Sequence, residues 1–334
     1  MKKLVPFVCL LILLSCGEEP LHPLEDTLLI TPKGFPELIF PEDNALTEAR
    51  WTLGKRLFYD PILSRDNSIS CASCHHPEQA FTDGMAFSEG IEGRIGNRNA
   101  PTLANVGYHP YLTREGGVPT LEMQILVPVQ EHAEFDFNIL LIADRMKADS
   151  TYVKASLDAY GREPDPFVIT RSISCFERTI VSGNSQYDKF INGDKDQLNE
   201  AQKRGKDLFF SERLACSLCH NGFNFTNYAF ENNGLYEEYS DPGRYRLTGE
   251  ETDRALFKVP TLRNVAITSP YMHDGSISNL MDVVEHYNTG GKAHPHKSVL
   301  LKPLHLTVQE KADVVAFLGT LTDNEFLTDP KFRK

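Results

Sequence analysis

The sequence predicts a mainly α-helical protein built from two related units joined by long loops. Three observations carry this expectation. Apolar residues recur at helical spacing in several segments, while the strict alternation of a strand is scarce. An ordered set of short motifs occurs twice along the chain. Loops containing Gly, Asn and Pro separate the helical patterns. The 334 residues suffice for one large or two ordinary domains, and a hydrophobic content of 41% fits a globular body with a core.

The N-terminus reads as a leader. Lys2 and Lys3 precede an apolar run from Leu4 to Leu14, too short to span a bilayer as a mature helix. The run ends in Leu13-Leu14-Ser15-Cys16, which resembles a bacterial lipobox. We therefore expect a lipoprotein signal peptide over 1–16 and lipid on Cys16. The mature protein is then periplasmic and held at the outer membrane by lipid alone. Residues 17–41 follow as a tether.

A first domain is expected over 42–165. Its opening helix places Leu46, Ala49, Leu53 and Leu57 on one face, with Asn44 as candidate cap and Pro61 beyond its end. Gly161-Arg-Glu-Pro-Asp-Pro166 breaks structure and marks the boundary. A second domain, 166–334, begins with a helix near Ile169 to Val181, stopped by Gly183. A later helix, capped by Asn199, carries Ala201, Leu208 and Phe209 on its apolar side.

The repeat is explicit. Leu46-Thr-Glu-Ala49 and Gly54-Lys-Arg-Leu-Phe-Tyr59 recur as Leu198-Asn-Glu-Ala201 and Gly205-Lys-Asp-Leu-Phe-Phe210. Pro101-Thr-Leu-Ala-Asn-Val106 recurs as Pro260-Thr-Leu-Arg-Asn-Val265. Pro110-Tyr111 matches Pro270-Tyr271, and Leu121 matches Leu280.

Each unit contains one C-x-x-C-H motif: Cys71, Cys74, His75 and Cys216, Cys219, His220. This is the c-type haem attachment signature. Both thiols add to one macrocycle, and the adjacent imidazole binds its iron. A single C-x-x-C also suits zinc or a redox disulfide; two copies, each followed by His in an exported chain, favour two covalent haems. The fold class is therefore two cytochrome c-like haem domains related by an internal repeat, with long loops. Of seven cysteines, four bind haem, Cys9 leaves with the leader, Cys16 carries lipid, and Cys175 lies in an apolar helix as a buried inert thiol. The formal charge of −12 argues against a nucleic-acid partner. His294, His296 and His305 are spaced too loosely for a metal site and read as surface histidines.

The sixth iron position decides between electron transfer and chemistry. Seven residues after Leu280 is Tyr287, which can ligate iron; seven after Leu121 is Pro128, which cannot. The second haem is thus expected to be closed and the first open. Two closed irons would make a pure electron carrier, which Pro128 disfavours.

Together these motifs resemble the bacterial di-haem cytochrome c peroxidase family over about residues 42 to 322. The resemblance rests on Leu53–Pro61, Ser70–His75, Arg98-Asn-Ala-Pro-Thr102, Val259–Ala266 and Pro270-Tyr-Met-His-Asp-Gly-Ser276. It implies an N-terminal peroxidatic haem and a C-terminal electron-transfer haem. It also implies a calcium ion between them, bound by the Asn99 side chain and the Thr268 and Pro270 carbonyls, and a homodimer as the common assembly. Many members block the first iron with a His sixteen residues after the motif; Ile91 stands there, with His76 and His109 the nearest alternatives. The distal Gln and Glu of the family match Gln124 and Glu134. A carboxylate can take a proton from peroxide and return it to the leaving oxygen, and an amide can orient the substrate; without the resemblance, Glu131 and Glu134 read as a solvated acidic face.

Most members place Met where Tyr287 stands, whereas MauG-like members have Tyr. A phenolate stabilises oxidised iron, where a thioether favours reduced iron. His286, Met272 and Met281 are the competing donors. The family's inter-haem Trp is missing: the corresponding stretch is Tyr111-Leu-Thr-Arg-Glu-Gly116, the single Trp is Trp51, and Tyr111 or Tyr271 remain as relays. The implied activity is reduction of hydrogen peroxide with electrons from a small cytochrome c or copper protein. The alternative is MauG-like oxidation of a protein or small organic substrate.

Overall fold

The computed structural model describes residues 28–334, so the expected signal peptide, Cys16 and the tether up to residue 27 lie outside the described residues. Seven helices frame the site: α1 (Glu48–Phe58), α2 (Leu121–Gln124), α3 (Leu126–Gln130), α4 (Pro166–Arg178), α5 (Glu200–Phe209), α6 (Leu280–Thr289) and α7 (Val308–Gly319). A short antiparallel ribbon pairs β1 (Phe230–Glu231) with β2 (Phe257–Lys258).

The repeat is visible as two equivalent helix crossings. A Cβ on Gly54 of α1 would lie 1.9 Å from the Ser172 carbonyl oxygen of α4. A Cβ on Gly205 of α5 would lie 1.8 Å from the Asp313 carbonyl oxygen of α7. In each unit the missing side chain lets two backbones touch. The connections downstream match as well. Asn105 and Asn264 are both fully buried at positive φ, and their amides donate to the carbonyls of Ile180 and Leu321 just beyond α4 and α7.

These crossings correct the expected domain boundary at 165/166. Helix α4 closes the first unit: Ile169 and Ile173 share a core with Leu53, Leu57 and Ile142. Gly161 does end the preceding helix, and Asp165 caps α4, but a chain break is not a domain break. Nor does Gly183 stop α4, which ends at Arg178 with Thr179 as its cap. The second core gathers Phe209, Phe225, Leu280, Val284 and Phe317.

Two further expectations are corrected. Asn44 does not cap α1; Thr47 does, accepting from the Arg50 amide. Asn44 is instead fully buried and donates to Glu122 at 3.0 Å and to the Arg171 carbonyl. Asn199 does cap α5, in a reciprocal capping box with Gln202. Residues 28–41 are no free tether: Leu28 is buried, and Phe35 packs on Tyr108 and Phe223. Apolar side chains in this stretch find partners on both units. The chain end also crosses back. Phe326, Leu327 and Phe332 join Phe58, Phe81 and Phe176 in a core of the first unit, which also takes in Trp51. Cys175 is fully buried there, as expected. No helix of the described residues is long and apolar enough to cross a membrane.

Candidate active site

Both C-x-x-C-H motifs open into one continuous cavity of about 870 Å³ between the units. All four motif cysteines are unbridged and lie on its wall. His75 Nδ1 lies 2.8 Å from the Phe81 carbonyl, and His220 Nδ1 lies 3.1 Å from that of Phe225. A carbonyl only accepts, so each Nδ1 carries the proton and each Nε2 keeps its lone pair. Burial holds both imidazoles below their ordinary pKa, and so neutral. Free thiols, an oriented neutral imidazole and an apolar cleft are what a covalent haem requires, and the residues fit it twice.

The two ends of the cavity differ as the repeat implies. Leu121 and Leu280 both begin helices, capped by Thr120 and Asn279. In the second unit α6 runs on unbroken. Leu280 and Val284 anchor it in the core, and Tyr287 follows on the same face and lines the cavity. Burial pushes the Tyr287 phenol up to about 12, against a hydrogen bond from Asn233. In the first unit the helix breaks into α2 and α3, and Pro128 lines the wall instead.

The competing donors separate. His286 turns away, its Nε2 2.9 Å from the Asn233 carbonyl, and Met281 is exposed. Met272 does line the cavity, but its sulfur accepts from Asn233 Nδ2 at 3.1 Å. Asn233 thus touches both Tyr287 and Met272, a role with no trace in sequence.

At the first end, Gln124 and Glu134 both line the cavity. Gln124 Oε1 is buried without a partner among the described residues, an acceptor awaiting a donor. It is placed from behind by Glu122. At roughly 100° per residue, two positions along a helix face opposite ways. Glu122 binds Arg178 of α4 through both oxygens, at 2.6 and 2.9 Å, so Gln124 looks into the cleft. Glu134 projects into the cavity, its side chain open to the lumen. Burial and the neighbouring Glu131 raise its carboxyl to about 7. Its segment is pinned by Asp136, which takes Arg65 at 2.9 Å and Arg94 at 2.7 Å.

Ile91 is fully buried and lies outside the cavity lining. His76 also lies outside the lining, its backbone bridged to Thr82. His109 is on the wall with Nε2 unpartnered among the described residues, 3.3 Å through Nδ1 from Lys258 of β2. Tyr271 lines the cavity, whereas Tyr111 stacks on Phe230 behind it, and Trp51 is buried against α4. His294, His296 and His305 form no metal cluster; among the described residues no three His, Cys, Asp or Glu side chains gather as one.

The expected calcium ligands do not fit the ion. Asn99, Thr268 and Pro270 all line the cavity. However, the Asn99 carbonyl and side-chain oxygens both accept from Arg114 Nη2, at 2.6 and 3.3 Å. A cation already engages both oxygens of Asn99.

Comparison with known proteins points to one family. Residues 48–196 match the family model described as di-haem cytochrome c peroxidase. The chain is 34% identical to methylamine utilization protein MauG of Methylorubrum extorquens, over 84% of this chain and 80% of that protein. It is 33% identical to cytochrome-c peroxidase IdrP1 of a Pseudomonas species, over 87% and 85%. Among solved structures, a MauG-like protein associated with microbial copper homeostasis is 37% identical, with a TM-score of 0.85 covering 90% of this chain and 97% of that one.

Proposed function

The chain belongs to the di-haem cytochrome c peroxidase family, with its two c-type haems, and from that membership we propose that it is an exported peroxidase. Hydrogen peroxide takes two electrons and two protons and leaves as two waters. The electrons come one at a time from an external donor, a small cytochrome c or copper protein, through the second unit. The observation that carries this reading is the first end of the cavity. There Glu134 and Gln124 face the lumen, and Pro128 stands where the second unit offers Tyr287. Bound haem supplies the redox iron. Glu134 accepts the proton of the incoming peroxide and returns it to the departing oxygen, so that water leaves rather than hydroxide. Gln124 orients the substrate through its free Oε1. Tyr287, as an anionic oxygen donor, would hold the second iron oxidised. The leader and Cys16 support a periplasmic lipoprotein at the outer membrane, and the acidic surface suits a basic donor.

The test is peroxide turnover with a reduced small cytochrome c, comparing the parent chain with Glu134→Gln. A loss of about 10²–10⁴-fold is expected for a positioned acid–base group; unchanged turnover would overturn the assignment.

One observation favours a second reading. Tyr287 on the cavity wall matches the MauG-like pattern, and two of the similar proteins are named as MauG or MauG-like. In that reading the chain oxidises a partner protein or small organic molecule. Slow cytochrome oxidation, together with peroxide-dependent mass changes on a partner's aromatic residues, would decide for it.

A further inference from the structure

Arg114 lines the cavity on the seam between the units and has no carboxylate within ion-pair distance among the described residues. Its Nε is enclosed and unpartnered, and Nη2 is spent on the two oxygens of Asn99. Its carbonyl accepts the Lys258 amide at 2.7 Å, which stitches the loop of the first unit to β2 of the second. The nearby acids are committed elsewhere. Asp241 takes Arg98 through both oxygens at 2.6 and 2.9 Å, Glu115 also binds Arg98, and Asp274 accepts from Tyr236 at 2.6 Å. Lys258 is a second cation without an acid in ion-pair distance among the described residues: its Nζ donates to the Tyr111 carbonyl and faces His109. The seam therefore carries the Arg114 guanidinium against Asn99, with the Lys258 ammonium close to Arg114.

Calcium needs six to eight oxygens at roughly 2.3–2.6 Å and gains from anionic ligands. Here the side chain meant to begin that shell is held by a guanidinium. Asn99 cannot turn its amide around to free the site, because Nδ2 already donates to the Met85 carbonyl at 2.8 Å. An arginine cannot shed its charge to admit a divalent ion.

We propose that the Arg114 guanidinium replaces the inter-unit calcium ion, so that this chain carries a built-in cation at Asn99 and binds no calcium there. The stretch that holds Arg114, Tyr111 to Gly116, is also the one in which the family's Trp is missing. The two departures then belong to one rearrangement of the seam. The comparison with calcium-binding relatives rests on family membership. Calcium content and unfolding do not depend on peroxide turnover, so failure here leaves the peroxidase assignment standing.

The experiment uses the holoprotein with both haems attached. After equilibration in millimolar calcium chloride and desalting, elemental analysis is expected to find no stoichiometric calcium. The thermal midpoint is expected to be the same in calcium and in EGTA. One calcium per chain, or a midpoint lowered by EGTA, would overturn the proposal. Arg114→Gln removes the guanidinium and is expected to take up about one calcium, with a midpoint that rises with the ion. A glutamine variant that folds normally and stays calcium-free would also count against it. Arg114→Lys keeps the charge, covers the case in which the glutamine variant fails to fold, and is expected to remain calcium-free; uptake by it would overturn the proposal.

Discussion

Ile91 donates its backbone N–H to the carbonyl of Glu134 at 3.1 Å. The residue before it, Gly90, has no room for a Cβ, which would lie 2.0 Å from the Ala133 carbonyl oxygen. The loop that in many relatives carries a blocking ligand is thus sewn to the acid-bearing segment, with an apolar side chain buried away from the cleft. The first iron is expected to be open at rest. Low-temperature EPR of the ferric protein should show one high-spin and one low-spin centre, both responding to one equivalent of peroxide without prior reduction. Two low-spin centres indifferent to peroxide would contradict it.

Glu134 must be ionised to accept a proton, and burial beside Glu131 raises its carboxyl to about 7. Peroxide cleavage should therefore rise with pH through neutrality, and fall about tenfold per unit well below the midpoint. Glu131→Gln removes a like charge, so the midpoint should move to lower pH. A stopped-flow pH profile of both forms checks the direction; a profile that Glu131→Gln leaves in place would remove Glu134 as the base.

Tyr287→Met exchanges an oxygen donor for a thioether at the second iron. The potential of that haem should rise by on the order of 0.1 V, within the roughly 0.8 V that axial ligands span. Spectroelectrochemistry of the variant reads this directly. No change would mean that Tyr287 is only a packed aromatic, and would direct attention to Met272.

Glu122 and Arg178 form a buried ion pair, each about 7% exposed. Burial alone would raise the Glu122 carboxyl, but Arg178 overrides this and brings it from its ordinary 4.5 to about 2. A carboxyl held low in the folded state stabilises above its ordinary range, and that contribution is lost as pH falls toward 2. Glu122→Gln should cost about 3–5 kcal/mol in urea unfolding at neutral pH, because Arg178 is left buried and unpaired. Its stability should also vary less between pH 4.5 and 2 than the parent's.

Gly54→Ala and Gly205→Ala each force a methyl into a backbone carbonyl across a helix crossing. Each should cost about 2–3 kcal/mol, at the upper end of over-packing losses. Urea titration followed at the haem bands measures it. A neutral result at either position would mean that the crossing relaxes freely.

Local chemistry was legible in the chain; long-range packing was not. Asn199 three residues before Gln202 is a complete capping signal, and it caps α5. Asn44 has the same residue type, but its partners Glu122 and Ser174 lie 78 and 130 residues away, so its burial could not be foreseen. Gly161 and Pro166 were read correctly as a break, yet α4 belongs to the unit before it. What assigns it is the contact between Gly54 and Ser172, not the break.

The sequence by itself determined the two attachment motifs, their repetition, and the contrast between Tyr287 and Pro128, because these are matters of residue type and short spacing. Only the tertiary structure decided where the units divide, that Phe35 packs on both units while the chain end returns to the core of the first, and that Asn233 sits between Tyr287 and Met272. Above all, it set Arg114 against Asn99. Which charge occupies a shared cavity depends on side chains brought together from separate loops, and no local pattern along the chain encodes that meeting.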